Sequence, residues 1–241
     1  YEGEPGFQHS EHPAVGILLT TVGTPAAPDT LSLRRYLAQF LSDPRVIEPP
    51  PARWMWKIIL HGIILNTRPR KSAALYRNIW TEEGSPLLVH RRRQAAGLHA
   101  LLRERFGGPV HVEAGMGYGN PSVAAALDNL KAQHCRRIFI LPLFPQYCSA
   151  TTGSTFDAVG KYFQGQRWIP EMRFNTSYHD HPLYIRALAA TIRGYQEEHD
   201  KPTRTLISFH GLPLRYIKGL SLIHISEPTR RYASSYAVFC L

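Results

Sequence analysis

The sequence predicts an α/β protein in which helices cover both faces of a parallel sheet, and three observations lead there. Short continuous apolar runs at 15–19 (VGILL), 137–141 (RIFIL) and 205–209 (TLISF) have the length and bounding turns of buried strands. Longer segments of helical spacing separate them. Strand and helix alternate along most of the chain, which is the pattern of a Rossmann-like, doubly covered sheet.

Taken in order, the run 15–19 ends at Gly23-Thr24-Pro25, a turn signal. Asp29 or Thr30 can cap the next segment, where Leu31, Leu33, Leu37, Phe40 and Leu41 recur at helical spacing. Residues 69–80 and 87–106 read as helices, 109–112 as a strand, 123–133 as a helix, and 156–163 and 181–198 as further helices. Residues 52–65 (ARWMWKIILHGIIL) depart from this pattern. Two tryptophans and two apolar bursts are interrupted there by Lys57 and His61. The stretch reads either as a core helix or as a lip that admits a flat apolar ligand or touches a membrane surface.

Composition narrows the class. A chain of 241 residues, 44% hydrophobic and 19% charged, is long enough to bury a core. It contains no apolar run long enough for a bilayer-spanning helix. Cys135, Cys148 and Cys240 are too few and too scattered for a disulfide framework or a zinc or iron–sulfur ligand set, which points to the reducing cytoplasm. Residues 1–13 form a polar extension without a secretory h-region. The net charge of +10 comes in short clusters such as Arg68, Arg70 and Lys71, or Arg91, Arg92 and Arg93. No nucleic-acid-binding motif accompanies them, and a small anionic ligand explains them as well.

Ligands of parallel α/β sheets sit beyond the carboxyl ends of the strands, which selects the loops 20–25, 142–153 and 210–213. Neither GxGxxG nor GxxxxGK[ST] is present, so dinucleotide and P-loop sites are not expected. His210, directly after the last apolar run, can ligate a metal or accept a proton near neutral pH; a hydrogen-bonded strand-end histidine is the bland alternative. The hydroxyl-rich 144–154 loop can receive an anion or simply cap a helix. Arg68 and Lys71 share one side of a helix start and can clamp carboxylates, or form an ordinary solvated face. Glu82 and Glu83 read as solvated turn residues, and the His179-Asp180-His181-Pro182 cluster as a helix cap rather than a metal site.

Together these motifs resemble the ferrochelatases, enzymes that insert ferrous iron into a porphyrin to make haem. The resemblance is carried by LLTTVGTP (18–25), RRYLAQFLSDPRVIE (34–48), ILHGIIL (59–65), RPRKSAALYRNIWTEEGSPLL (68–88), YGNPS (118–122), LPLFPQY (141–147), STFDAV (154–159), YHDHP (178–182) and, most specifically, SFHGLP (208–213). It implies a bacterial, proteobacterial-type enzyme of haem biosynthesis in the cytoplasm, with peripheral membrane contact through 52–65. The substrates would be Fe2+ and protoporphyrin IX or coproporphyrin, with no other cofactor and no nucleic-acid partner.

By the same resemblance His210 is the active-site residue, coordinating iron or removing pyrrole protons. Arg68, Lys71, Tyr76 and Ser85 lie near the propionates, Val22 faces the macrocycle, and Tyr147 belongs to the porphyrin-pocket loop. Two departures stand out: Thr21 where the family has Asn, and Gly117 where it has Arg. A cobalt or nickel chelatase of a sirohydrochlorin-type ring is the nearest alternative, although such rings carry more carboxylates than the apolar lip with Trp54 and Trp56 suits. A tetrapyrrole carrier without turnover is another.

The resemblance runs from near Glu4-Pro5 to about Gly219, and 14–219 is expected to be the family's first α/β domain. LSLIHISEPTR (220–230) and SYAVFCL (235–241) match the translation of a widely used transposon-end sequencing adapter. Residues 220–241 are therefore expected to be a non-native, disordered tail. The second domain, which carries the family's partner glutamate for His210, is expected to be missing, and the chain to have little or no chelatase activity by itself.

Overall fold

The computed structural model describes residues 1, 3, 13–48, 53–199, 205–208, 210–211 and 236–239. The chain divides into two compact units, Tyr1–Leu143 with Ala150–Asn175, and Phe144–Ser149 with Thr176–Leu241, so the expected 14–219 domain is shared between them.

The first unit holds a four-stranded sheet in the order β2-β1-β3-β4, built from β1 (Ala14–Thr24), β2 (Val110–Gly119), β3 (Cys135–Pro142) and β4 (Glu171–Phe174). Every pairing is parallel, as the strand–helix alternation requires. Besides one short helix, five α-helices among the described residues belong to this unit: α1 (Thr30–Ser42), α3 (Leu65–Ile79), α4 (Pro86–Arg105), α5 (Val123–Ala132) and α6 (Ser154–Gln164). The short helix α2 (Arg53–Ile59) runs into a π-helical turn, Leu60–Ile64, and then directly into α3.

Both faces of the sheet are covered. On one, Val123, Ala126, Leu127 and Leu130 of α5 and Val159 and Phe163 of α6 pack on Leu18, Ile138 and Ile140. On the other, Ala95, Leu98 and Leu102 of α4 lie on Ile17, Leu19 and Val110. Gly115 makes the α5 packing possible, because a Cβ there would stand 2.9 Å from the Val123 Cα. A third cluster gathers Tyr36, Leu37, Leu41, Leu60, Leu65 and Tyr118, with Val22, Val46, Ile47 and Trp56 against it.

The helix starts follow their sequence signals. Asp29, not Thr30, caps α1: its Oδ1 accepts from the Leu31 and Ser32 N–H groups at 2.8 and 2.9 Å. Ser122 caps α5 by accepting from Ala125 N–H at 3.1 Å. His181 caps α7 (Pro182–Glu198) of the second unit through Nδ1, as the His179–Pro182 reading anticipates.

Several expectations are corrected. The 20–25 loop is strand through Thr24, because pairing with β2 continues to Thr24 opposite Gly119. For the same reason the 109–112 strand extends to Gly119. The helix expected from Pro69 begins at Leu65, continuing the lip stretch. The side chains of Asn66 and Thr67 bond the His61, Gly62 and Ile63 carbonyls in this region. The 142–153 loop winds into a π-helical turn over its last five residues, Ser149–Gly153. β4 was not anticipated: EMRF has no apolar run, and only its pairing with β3 makes it a strand.

In the second unit, β5 (Thr205–Ser208) pairs antiparallel with β6 (Tyr236–Phe239), rather than joining the parallel sheet as its apolar run suggested. Within the expected disordered tail, YAVF thus forms a strand; its aromatic and β-branched residues fit one. The rest of 220–241 lies outside the described residues.

Candidate functional site

The carboxyl ends of β1 and β2 are drawn together by two glycines. Gly23 has φ +117°, and a Cβ on it would stand 1.8 Å from the Tyr118 carbonyl oxygen; one on Gly119, φ +89°, would stand 2.4 Å from that of Thr24. Only glycine permits this approach and this backbone. Gln39 Oε1 accepts from Gly119 N–H at 2.8 Å, which fixes the β2 exit to α1.

Around this point lie three of the residues the sequence singles out. Val22 is half-buried in the third cluster. Ser85, buried at the start of α4, accepts a hydrogen bond from the Thr24 hydroxyl at 2.8 Å. Tyr76, half-buried on α3, shares a hydrogen bond with Tyr36, whose hydroxyl also lies 3.4 Å from the Gly23 carbonyl. Burial pushes the Tyr36 phenol well above its ordinary range, and its interaction with Tyr76 adds to this. Burial also raises the Tyr76 phenol, opposed by the bond from Tyr36. Both phenols therefore stay protonated, so the site presents neutral hydroxyls beside the strand ends.

Arg68 and Lys71 are exposed on α3, one turn apart, with buried Pro69 between them. They lie upstream of Tyr76 on the same helix, so one element carries two solvated cations and a phenol. Trp56, from the lip stretch, donates its indole N–H to the Leu41 carbonyl at 2.9 Å and packs with Val22's cluster. The lip is thereby tied through Trp56, Leu60 and Leu65, while Trp54, Ile58 and Ile63 stand exposed.

The two remaining candidates belong to the second unit. Tyr147 is half-buried in the 144–149 segment, which Ser177 Oγ and Tyr178 N–H hold by donating to the Pro145 carbonyl at 3.2 and 2.9 Å. His210 follows β5 and its side chain is exposed. Among the described residues no group of three or more His, Cys, Asp and Glu side chains could hold a metal ion, and no helix is long and apolar enough to cross a membrane.

Sequence reasoning missed Tyr36, Thr24, Asp43 and Tyr118. Tyr36 was within reach, because Leu33, Tyr36, Leu37 and Leu41 form one buried stripe on α1. Asp43 was not, since its partner Tyr118 lies 75 residues away.

The ferrochelatase family model matches residues 14–234. A protein named ferrochelatase from Hydrogenovibrio crunogenus is 52% identical over 218 residues, 90% of this chain and 58% of that protein. Ferrochelatases from Marinobacter nauticus and Thioalkalivibrio sulfidiphilus are 48% and 50% identical, each over 217 residues with the same coverage. The chain thus spans rather less than two thirds of the length of these curated relatives. With a family match over most of its residues and half its positions shared with such relatives, this chain belongs to the ferrochelatase family.

Proposed function

We propose that the whole protein inserts Fe2+ into protoporphyrin IX or coproporphyrin in haem biosynthesis, with both substrates handled in the cytoplasm, the 241-residue chain by itself having little or no such activity. The observation that carries this reading is the identity of about half of all positions with proteins named ferrochelatase, over nine tenths of the chain.

The chemistry asked of the site follows from the substrate. A porphyrin is a flat apolar ring with carboxylates on one edge, so it needs an apolar slot with cations at the rim. In this reading Val22 lies against the ring, Arg68 and Lys71 meet the propionates, and the Tyr76 and Ser85 hydroxyls complete the rim. Tyr147 belongs to the loop that, by the family resemblance, contributes to the porphyrin pocket. Replacing two pyrrole N–H protons by Fe2+ releases two protons, and a neutral imidazole at His210 can take them or guide the metal. Bending the macrocycle exposes its nitrogens to the metal, and contacts remote from the metal supply the energy for that distortion.

The lip extends the reading to a membrane surface. Residues 49–81 contain Arg53, Lys57, Arg68, Arg70, Lys71 and Arg77 and no Asp or Glu. Trp54, Ile58 and Ile63 are each more than 60% exposed in the same stretch. Exposed apolar side chains among cations suit an anionic lipid surface, from which a greasy porphyrin could be collected.

Two measurements on the 241-residue chain test this. Protoporphyrin IX titrated by fluorescence should bind saturably, and His210→Ala should retain that binding. Any anaerobic Fe2+ insertion the chain performs should vanish in the same variant. Absence of saturable binding, or insertion undiminished by His210→Ala, contradicts the proposal.

A further inference from the structure

Asp43 sits where three parts of the first unit meet. Its Oδ2 accepts from the Tyr118 hydroxyl at 2.6 Å, joining the end of α1 to β2. Its Oδ1 accepts from Arg45 N–H at 2.7 Å, and its carbonyl accepts from the Val46 and Ile47 N–H groups at 3.0 and 2.9 Å. The tight turn so formed carries Arg45, whose guanidinium pairs in a two-pronged contact with Asp157 of α6, Nη2 to Oδ1 being 2.8 Å. One carboxylate therefore organises contacts from α1 to both β2 and α6.

Tyr118 is itself buried. Phe40 meets its ring edge-on at 5.2 Å between centroids, and it belongs to the cluster that contains Val22 and Trp56. Burial raises its phenol pKa well above the ordinary range, and the bond to Asp43 raises it further, so the hydroxyl remains a donor. Without a carboxylate at 43 this buried phenol would lose its acceptor. It would then have to turn toward another acceptor, such as the neighbouring Ser154 hydroxyl, because burying an unpaired hydroxyl is unfavourable.

We propose that Asp43 is a positioning residue for the tetrapyrrole slot, fixing the Tyr118 ring and through it the surface beside Val22 on which the macrocycle lies. This rests on the porphyrin-binding reading above. Its distinguishing signature is that Asp43 reaches the slot through the Tyr118 hydroxyl, while its bond to Arg45 N–H serves the turn; for porphyrin affinity, removing either partner should therefore have the same effect, and removing both no greater one.

The test is a double-mutant cycle on the 241-residue chain, read by protoporphyrin IX affinity and by the emission spectrum of the bound porphyrin. Asp43→Ala and Tyr118→Phe should each weaken binding five- to tenfold and shift the bound emission alike, with the double variant matching either single one. Asp43→Asn keeps one acceptor oxygen, for Arg45 N–H or the phenol, and can meet the other only by donating from Nδ2, so it should recover part of the affinity that Asp43→Ala loses. It also keeps the test decisive if the alanine variant folds poorly. Unchanged affinity and emission in Asp43→Ala, multiplying effects in the double variant, or no rescue by Asn would overturn the role of Asp43. If the unsubstituted chain binds no porphyrin, the functional reading itself fails and the positioning role fails with it.

Discussion

Gly23 and Tyr118 touch backbone to backbone: a single methyl group on Gly23 would stand 1.8 Å from the Tyr118 carbonyl oxygen. This contact, on adjacent parallel strands, sets how closely the two strand ends converge where Val22, Ser85 and Tyr76 gather. Gly23→Ala combines a left-handed backbone with a clash that neither strand can relieve by a rotamer change. It should destabilise the first unit by at least about 2 kcal/mol in urea unfolding. A loss within experimental error would show that the strand ends are free to part.

Asp29 gives a pH signature. Its carboxyl is held below the usual carboxylate range, chiefly by the Ser32 N–H, then by the Ser32 hydroxyl and the Leu31 N–H. A depressed folded value means the cap stabilises above the unfolded carboxylate pKa and is lost as pH falls through the folded one. Stability measured from pH 7 downward should therefore fall below about 3.9 in the parent. In Asp29→Ala it should start lower and lose that share of the acid dependence. Parallel curves for the two proteins would contradict the capping role.

Cys135 should be chemically silent. Burial, with a smaller contribution from Glu113, pushes its thiol up to about 12, and the side chain is packed beneath Gly16 and Leu130. At pH 8 the thiolate is scarce and shielded, so alkylation should occur only after unfolding. Rapid labelling of the native chain at Cys135, read by peptide mass, would show that the α5 side of the sheet opens readily.

The lip predicts a salt-sensitive association. The chain should co-sediment with vesicles containing anionic lipid and not with neutral ones, and raised salt should release it. Replacing Trp54, Ile58 and Ile63 together by Ser should abolish most of the binding without changing the fold, because all three are exposed. Equal binding to neutral and anionic vesicles would remove the electrostatic part of the proposal.

What could be read from the chain was what is local. VGILL and RIFIL announce strands because apolar residues dominate both short runs, and Asp29 announces a helix because its cap bonds reach only two and three residues ahead. β4 escaped for the opposite reason: EMRF is only four residues with no apolar run, and its strand character comes from lying alongside β3. β5 was recognised as a strand but assigned to the wrong kind of sheet, since TLISF says nothing of its partner. In the site, Ser85 and Tyr76 were reachable through motif resemblance. Their partners Thr24 and Tyr36 depend on pairings of 61 residues and of separate helices that no local pattern encodes.

A crystal structure of the chain with protoporphyrin IX bound tests the central claim most directly. The macrocycle should lie against Val22 at the carboxyl end of β1, with its propionates toward Arg68 and Lys71 and the His210 imidazole facing the pyrrole nitrogens. A porphyrin seated elsewhere, or a His210 ring turned away from the macrocycle, would contradict it.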